Sequence, residues 1–182
     1  QYFPPVSAIP QVGYFCNNAN SAISRQAWLR LGFNEKLTGL EDIDLAKRLV
    51  GSGGSVAYIG TSVVEHIHEE NWKRIKVRYE REAVALAEIE PYLNLNTLQA
   101  IKMFLIGVNS DLRHCESYSA QRVLQIILYR GCQYWGSFVG SRASKLRITR
   151  MKREYFYPKA THHVVMLGDK CEYDSASADE SP

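Results

Sequence analysis

Residues 38–49 read TGLEDIDLAKRL. Three carboxylates, Glu41, Asp42 and Asp44, fall within four positions just after Gly39. Behind them Ile43, Ala46 and Leu49 or Val50 recur at helical spacing, so the stretch predicts a helix with acid at its start. Thr38 followed three residues later by Glu41 has the form of a capping box, in which hydroxyl and carboxylate each satisfy a free backbone N–H of the first turn. The positive end of the helix dipole adds roughly 0.3–1 kcal/mol for a carboxylate placed there. Capping therefore accounts for Glu41 and in part for Asp42. It does not require two adjacent acids behind a glycine, which leaves a chemical role for the pair open.

Upstream, Pro4, Pro5 and Pro10 make residues 1–15 extended or loop, closing with a short strand at Val12 to Phe15. Asn17, Asn18 and Asn20 then cluster with small residues. Such a loop suits close approach to a ligand, since amides offer sugar hydroxyls both donors and acceptors; an ordinary capped turn is the plainer alternative. Ser24 is the expected cap of a helix from Arg25 to Leu31. Trp28 on that helix either stacks on a sugar or belongs to the core with Leu29 and Leu31.

Downstream, the glycine-rich turn Gly51 to Gly54 lacks the Lys-Ser/Thr of a phosphate loop and follows a helix, so it reads as a helix end leading into a strand from Ser55 to Ile59. In a second strand, Ser62 to His68, alternation puts His66 and His68 on one face. Two imidazoles at that spacing are usable metal ligands, or else structural or solvent-facing histidines. From Asn71 the pattern is helical until Pro91, with an apolar stripe at Trp72, Ile75, Tyr79, Ala83, Leu86 and Ile89. Arg74, Arg78 and Arg81 lie beside it, suited to phosphate oxygens or to pairing with Glu82. Thr97 to Val108 and Ser119 to Phe138 read as further helices, and Gly136 and Gly140, at i,i+4, would let helices approach closely.

The chain has 182 residues, 46% hydrophobic and 23% charged, an ordinary composition for one globular core. Four scattered cysteines without a CxxC pair indicate neither a zinc knuckle nor a disulfide framework. No apolar run approaches the ~18 residues of a membrane span. Arg142 to Arg153 holds six basic residues and no acid. It reads as a segment for an anionic membrane surface ahead of nucleic acid, for which no module is visible; a solvated basic helix is the plain alternative. The tail beyond Cys171 is acidic and Ser-rich and reads as disordered.

Taken in order, the Asn loop and helix NNANSAISRQAW, the turn Gly32-Phe33 with Glu35, the acidic motif Gly39-Leu-Glu41-Asp42-Ile-Asp44-Leu and the strand ending His66-Ile-His68 resemble the second half of a family 2 glycosyltransferase domain over about residues 11–90. The resemblance implies an α/β fold, the carboxy-terminal half of a GT-A domain at 1–90. A helical, membrane-proximal extension at 91–158 and a tail at 159–182 would follow it. It implies an inverting transferase in bacterial cell-surface polysaccharide synthesis, with Asp42 as base and Glu41 on the acceptor or orienting the loop. Asn18, Asn20, Trp28 and Gly39 would contact a saccharide or lipid-linked saccharide. A divalent metal, Mn or Mg, would be held mainly by an amino-terminal half expected to precede Gln1, with His66, and less well His68, completing its shell. The partners implied are a nucleotide-sugar donor, the acceptor and an anionic membrane but no nucleic acid, and the place is the cytoplasm or the inner membrane face. Two other classes stay open: a non-catalytic acceptor-binding or assembly module, and a metal-dependent hydrolase built on His66 and His68.

Overall fold

The computed structural model describes residues 4–65, 70–93, 95–115 and 118–156. Among them the secondary structure is six α-helices and one short 3-10 turn: α1 Arg25–Leu31, α2 Glu41–Gly51, α3 Trp72–Ile89, α4 Thr97–Arg113, α5 Ala120–Ser141 and α6 Lys145–Phe156, with the turn at Asn18–Asn20. Local chemistry sets most of the starts. Ser24, Asn71, Asn96 and Ser119 each accept a hydrogen bond from the backbone N–H three residues on, and Asn96 and Gln99 form a reciprocal capping box. None of these helices is long and apolar enough to cross a membrane.

The expected α/β domain is not what forms. Among the described residues there is no sheet, and the one β feature is an isolated antiparallel bridge between Ala8 and Tyr58. Ala8 and Tyr58 exchange N–H to carbonyl bonds at 2.9 Å each, and Gln11 donates to the carbonyl of Val56 at 2.8 Å. The ladder goes no further because Pro5 and Pro10 flank it without an N–H to give. A lone two-stranded pairing is marginal in water without a further strand or a covering helix. Val12 to Phe15, Ser55 to Ile59 and the described part of Ser62 to His68 are therefore not strands. Val12 is fully exposed and Val63 is 82% exposed, so β-branched residues in extended backbone lack the covering layer that would make them a sheet.

The close packing lies in the helices. α5 meets α3 through Gly136 and Gly140, as their i,i+4 spacing suggests. A Cβ at Gly136 would fall on the Lys76 carbonyl oxygen, and one at Gly140 on the Glu80 carbonyl oxygen and 2.9 Å from the Ala83 Cβ. The most buried residues of α3 are Ile75, Glu80, Val84, Ala85 and Ile89; of the expected stripe Ile75 and Ile89 are among them, while Tyr79 and Leu86 are only partly buried. Trp72 stays 43% exposed. Tyr79 instead meets Tyr129 of α5 edge to face, hydroxyl to hydroxyl at 2.9 Å. Burial, together with that hydrogen bond, pushes the Tyr79 phenol above its ordinary pKa. α4 runs to Arg113, past the expected Val108, and leans on α5 through a bidentate Arg130–Asp111 pair with bonds of 2.6 and 2.7 Å.

α6 contains most of the basic stretch and lies along α3. Arg147 pairs with the buried Glu80, Lys152 with Glu88 at 2.7 Å, and Arg150 with Glu154 of its own helix at 2.9 Å. Arg81 of α3 lies over the ring of Tyr155 at 4.4 Å. Half of the six basic residues thus have acidic partners within the chain.

Candidate functional site

The acidic helix begins differently from the capping box its sequence suggests. Thr38 does not cap it: the residue is fully buried, and its hydroxyl donates to the Arg81 carbonyl of α3 at 3.2 Å. The N-cap position is held by Leu40, in the left-handed region at φ 56°, with no side-chain cap bond. A bulky side chain there is uncommon and strained, and strain of this kind collects at functional sites. It is Thr38, anchored to α3, and Gly39 that carry the chain into this turn. A Cβ on Gly39 would sit 3.8 Å from both Arg81 Nε and Glu82 Cγ, so the turn passes close over α3.

The three acids then part in role. Asp44 accepts from Arg48 at 2.8 Å, and the same guanidinium donates to the carbonyls of Leu31 and Gly32 at 2.8 and 2.7 Å, so this pair ties α2 to the end of α1. Its work is structural. Asp42 points the other way: its Oδ2 accepts the backbone N–H of Asn18 at 2.8 Å, and its Oδ1 that of Ile43 at 2.8 Å. Each oxygen keeps a second lone pair. Glu41, half-buried beside it, has no hydrogen bond or ion pair among the described residues.

The Asn loop is built to meet Asp42. The Asn17 side chain accepts from the Ala19 N–H at 3.0 Å and closes the 3-10 turn that aims the Asn18 amide. Ser21 Oγ donates to the Asn18 side-chain oxygen at 3.1 Å, and Asn20 Nδ2 donates to the carbonyl and hydroxyl of Ser62 at 2.9 and 3.1 Å. The loop is exposed, so the Asp42–Asn18 junction opens to solvent.

Charged residues of α3 line the far side. Arg78 pairs with Glu70 at 2.8 Å and lies 4.0 Å from Glu82. The Nε atoms of Arg78 and Arg81 are buried without a hydrogen-bond partner. Burial pushes the Glu82 carboxyl above its ordinary value; Arg78 and Arg81 oppose the shift, and the Glu70 and Asp42 charges add to it. Burial likewise raises the Cys16 thiol, with the Asp42 charge contributing. Sequence reasoning set Glu82 down as a helix-surface partner of Arg78. Its helical spacing gave no sign that α2 begins beside it, because that depends on the contact of Thr38 with Arg81.

Asn18, Gly39, Glu41 and Asp42 are thus brought together, with Asn20 fixed next to them. Trp28 stands apart: its ring packs edge to face on Phe33 at 4.9 Å between centroids and stays 43% exposed. His66 and His68 lie outside the described residues. They are the residues of this chain that the resemblance would place on a divalent metal, and among the described residues no group of three or more His, Cys, Asp or Glu gathers. No protein-family model matches the chain, and no curated protein or solved structure matches it either.

Proposed function

We propose that the Asn loop and the start of α2 form the acceptor side of a nucleotide-sugar-dependent inverting glycosyltransferase, with Asp42 as its general base. One observation carries this reading. The Asn18 N–H holds Asp42 Oδ2 at 2.8 Å, joining two stretches 24 residues apart that independently carry the resemblance. In the proposed step an acceptor hydroxyl lies against a free lone pair of Asp42. As its oxygen attacks the anomeric carbon, the proton passes to the carboxylate, the bond to the leaving phosphate oxygen breaks, and the nucleoside diphosphate departs. A base positioned in this way contributes about 10²–10⁴ in rate. Glu41 and the side chains of Asn18 and Asn20 offer acceptors and donors for other hydroxyls of the same sugar. Any divalent metal at the leaving group would neutralise its charge; the roles assigned to Asp42, Glu41 and the Asn loop are those of the chain itself.

A second reading draws on the helical fold. With no sheet among the described residues, the same surface also suits a saccharide-binding or assembly module whose catalytic partner is a separate polypeptide. Titration of the 182-residue chain with oligosaccharide acceptors, followed by amide chemical shifts, tests both. The proposal expects shifts at Asn18, Gly39 and Asp42, abolition of sugar transfer by Asp42→Asn in a transfer assay, and acceptor binding retained. Binding unaffected at those residues would overturn both readings, and binding with transfer untouched by Asp42→Asn would leave the module.

A further inference from the structure

We infer that the face of the α4–α5 hairpin turned away from α3 is a self-association surface, which pairs with the same face of a second copy of this chain. Leu98, Ile101 and Leu105 recur on α4 at i, i+3 and i+7, and Leu124, Leu128 and Trp135 on α5 at i, i+4 and i+11, one stripe on each helix. The contacts of the hairpin fix where these stripes point. Gly107 turns another side of α4 onto Arg130 and Tyr134 of α5, and Gly136 and Gly140 turn another side of α5 onto α3. The two stripes are left side by side on the side away from α3.

All six side chains are exposed, from 41% at Leu128 to 75% at Leu98. An aromatic side chain offers ~150–250 Å² and Leu or Ile less, so together they present on the order of 500–600 Å² of apolar surface. That is at the upper end of the ~300–600 Å² typical of the largest patch on a monomer, a size often functional. With a polar rim it approaches the ~800 Å² per partner of a stable interface. Charge does not break the face: Arg130, whose sequence position falls among these residues, is turned aside to Asp111. A lipid surface would draw on a cluster of basic residues beside the apolar stripe; Lys102 of α4 borders it, but Arg147 and Lys152 are paired with Glu80 and Glu88 on the α3 flank. A two-fold pairing of two hairpins instead buries each stripe against its twin in a four-helix layer.

Sedimentation velocity of the 182-residue chain from about 1 to 100 μM, the range that brackets a ~10 μM interface, tests the inference. The expected species at the upper end has twice the chain mass. Leu105→Glu and Leu128→Glu, each at an exposed position and each with unchanged far-ultraviolet circular dichroism, should raise the dimer dissociation constant by at least about tenfold. A monomer at every concentration, or a dimer indifferent to both variants, overturns the proposal. So does a monomeric chain that floats with uncharged phosphatidylcholine vesicles and loses that binding on Leu105→Glu, which would assign the face to lipid.

Discussion

The backbone N–H of Asn18 and the carboxylate of Asp42 meet at 2.8 Å, so a loop without regular structure and the first turn of a helix share one acid. The bond leaves Asp42 a free lone pair on each oxygen and fixes its rotamer without any charged partner.

Asp42→Asn keeps the shape and can still accept from Asn18, but it cannot take a proton. Under the proposed function the expected result is a loss of at least about a hundredfold in kcat with acceptor affinity nearly intact. Glu41→Gln should mainly weaken acceptor affinity. Asp44→Asn should lower melting temperature and leave turnover per folded molecule unchanged, because its partner Arg48 holds the end of α1. Steady-state kinetics on the three variants, with thermal melts beside them, separate these outcomes; equal losses throughout would mark a purely structural helix start.

Thr38→Ser distinguishes a buried anchor from an exposed cap. A cap position accepts serine at least as well as threonine. A fully buried threonine loses a methyl group, so the expected cost is about 0.8 kcal/mol in urea unfolding. A stability equal to or above the parent would return Thr38 to the helix cap.

Glu82 makes stability depend on pH in a stated direction. Its folded pKa lies above the ordinary 4.5, chiefly through burial, so its contribution is fully present below that value and is lost as pH rises through the folded one. Glu82→Gln cannot ionise. Its melting temperature should match the parent's near pH 4 and exceed it at pH 7, as scanning calorimetry at the two pH values would show; a deficit at pH 7 would mean that the Arg78 contact outweighs burial.

The two sides of α5 should answer alanine in opposite ways. Gly136→Ala and Gly140→Ala drive a methyl group into the backbone of α3 and should cost about 1–3 kcal/mol or more. A Cβ on Gly131 meets nothing within 4 Å, and Gly131→Ala should gain about 0.5–1 kcal/mol from helix propensity. Chemical denaturation of the three single variants reads the difference.

What could be read in advance follows the range of the interactions. Ser24 capping the helix at Arg25, the helix from Asn71 toward Pro91, and the Gly136–Gly140 spacing all rest on neighbours within a turn, and each is present. Thr38 and Glu41 have the letters of a capping box, but Thr38 is claimed by a carbonyl 43 residues away, which no local pattern reveals. The strand readings at Ser55 to Ile59 and at the described part of Ser62 to His68 misled for a similar reason: local sequence suggests extended backbone but not whether partners exist to complete a ladder. At the candidate site, the sequence marks the Asn loop and the acidic helix separately, and the Asn18–Asp42 bond across 24 residues has no local signature.

Glu80 is touched twice by the chain that follows α3. Its carbonyl oxygen lies under Gly140, and its carboxylate takes the guanidinium of Arg147. The segment between those two residues is thus a ring closed on a single point of α3, with its length set at both ends. One residue added or removed there would swing Arg147 by about 100° around its helix and leave a buried carboxylate without its cation. Insertions should therefore be rejected in this short junction, though it carries none of the candidate chemistry.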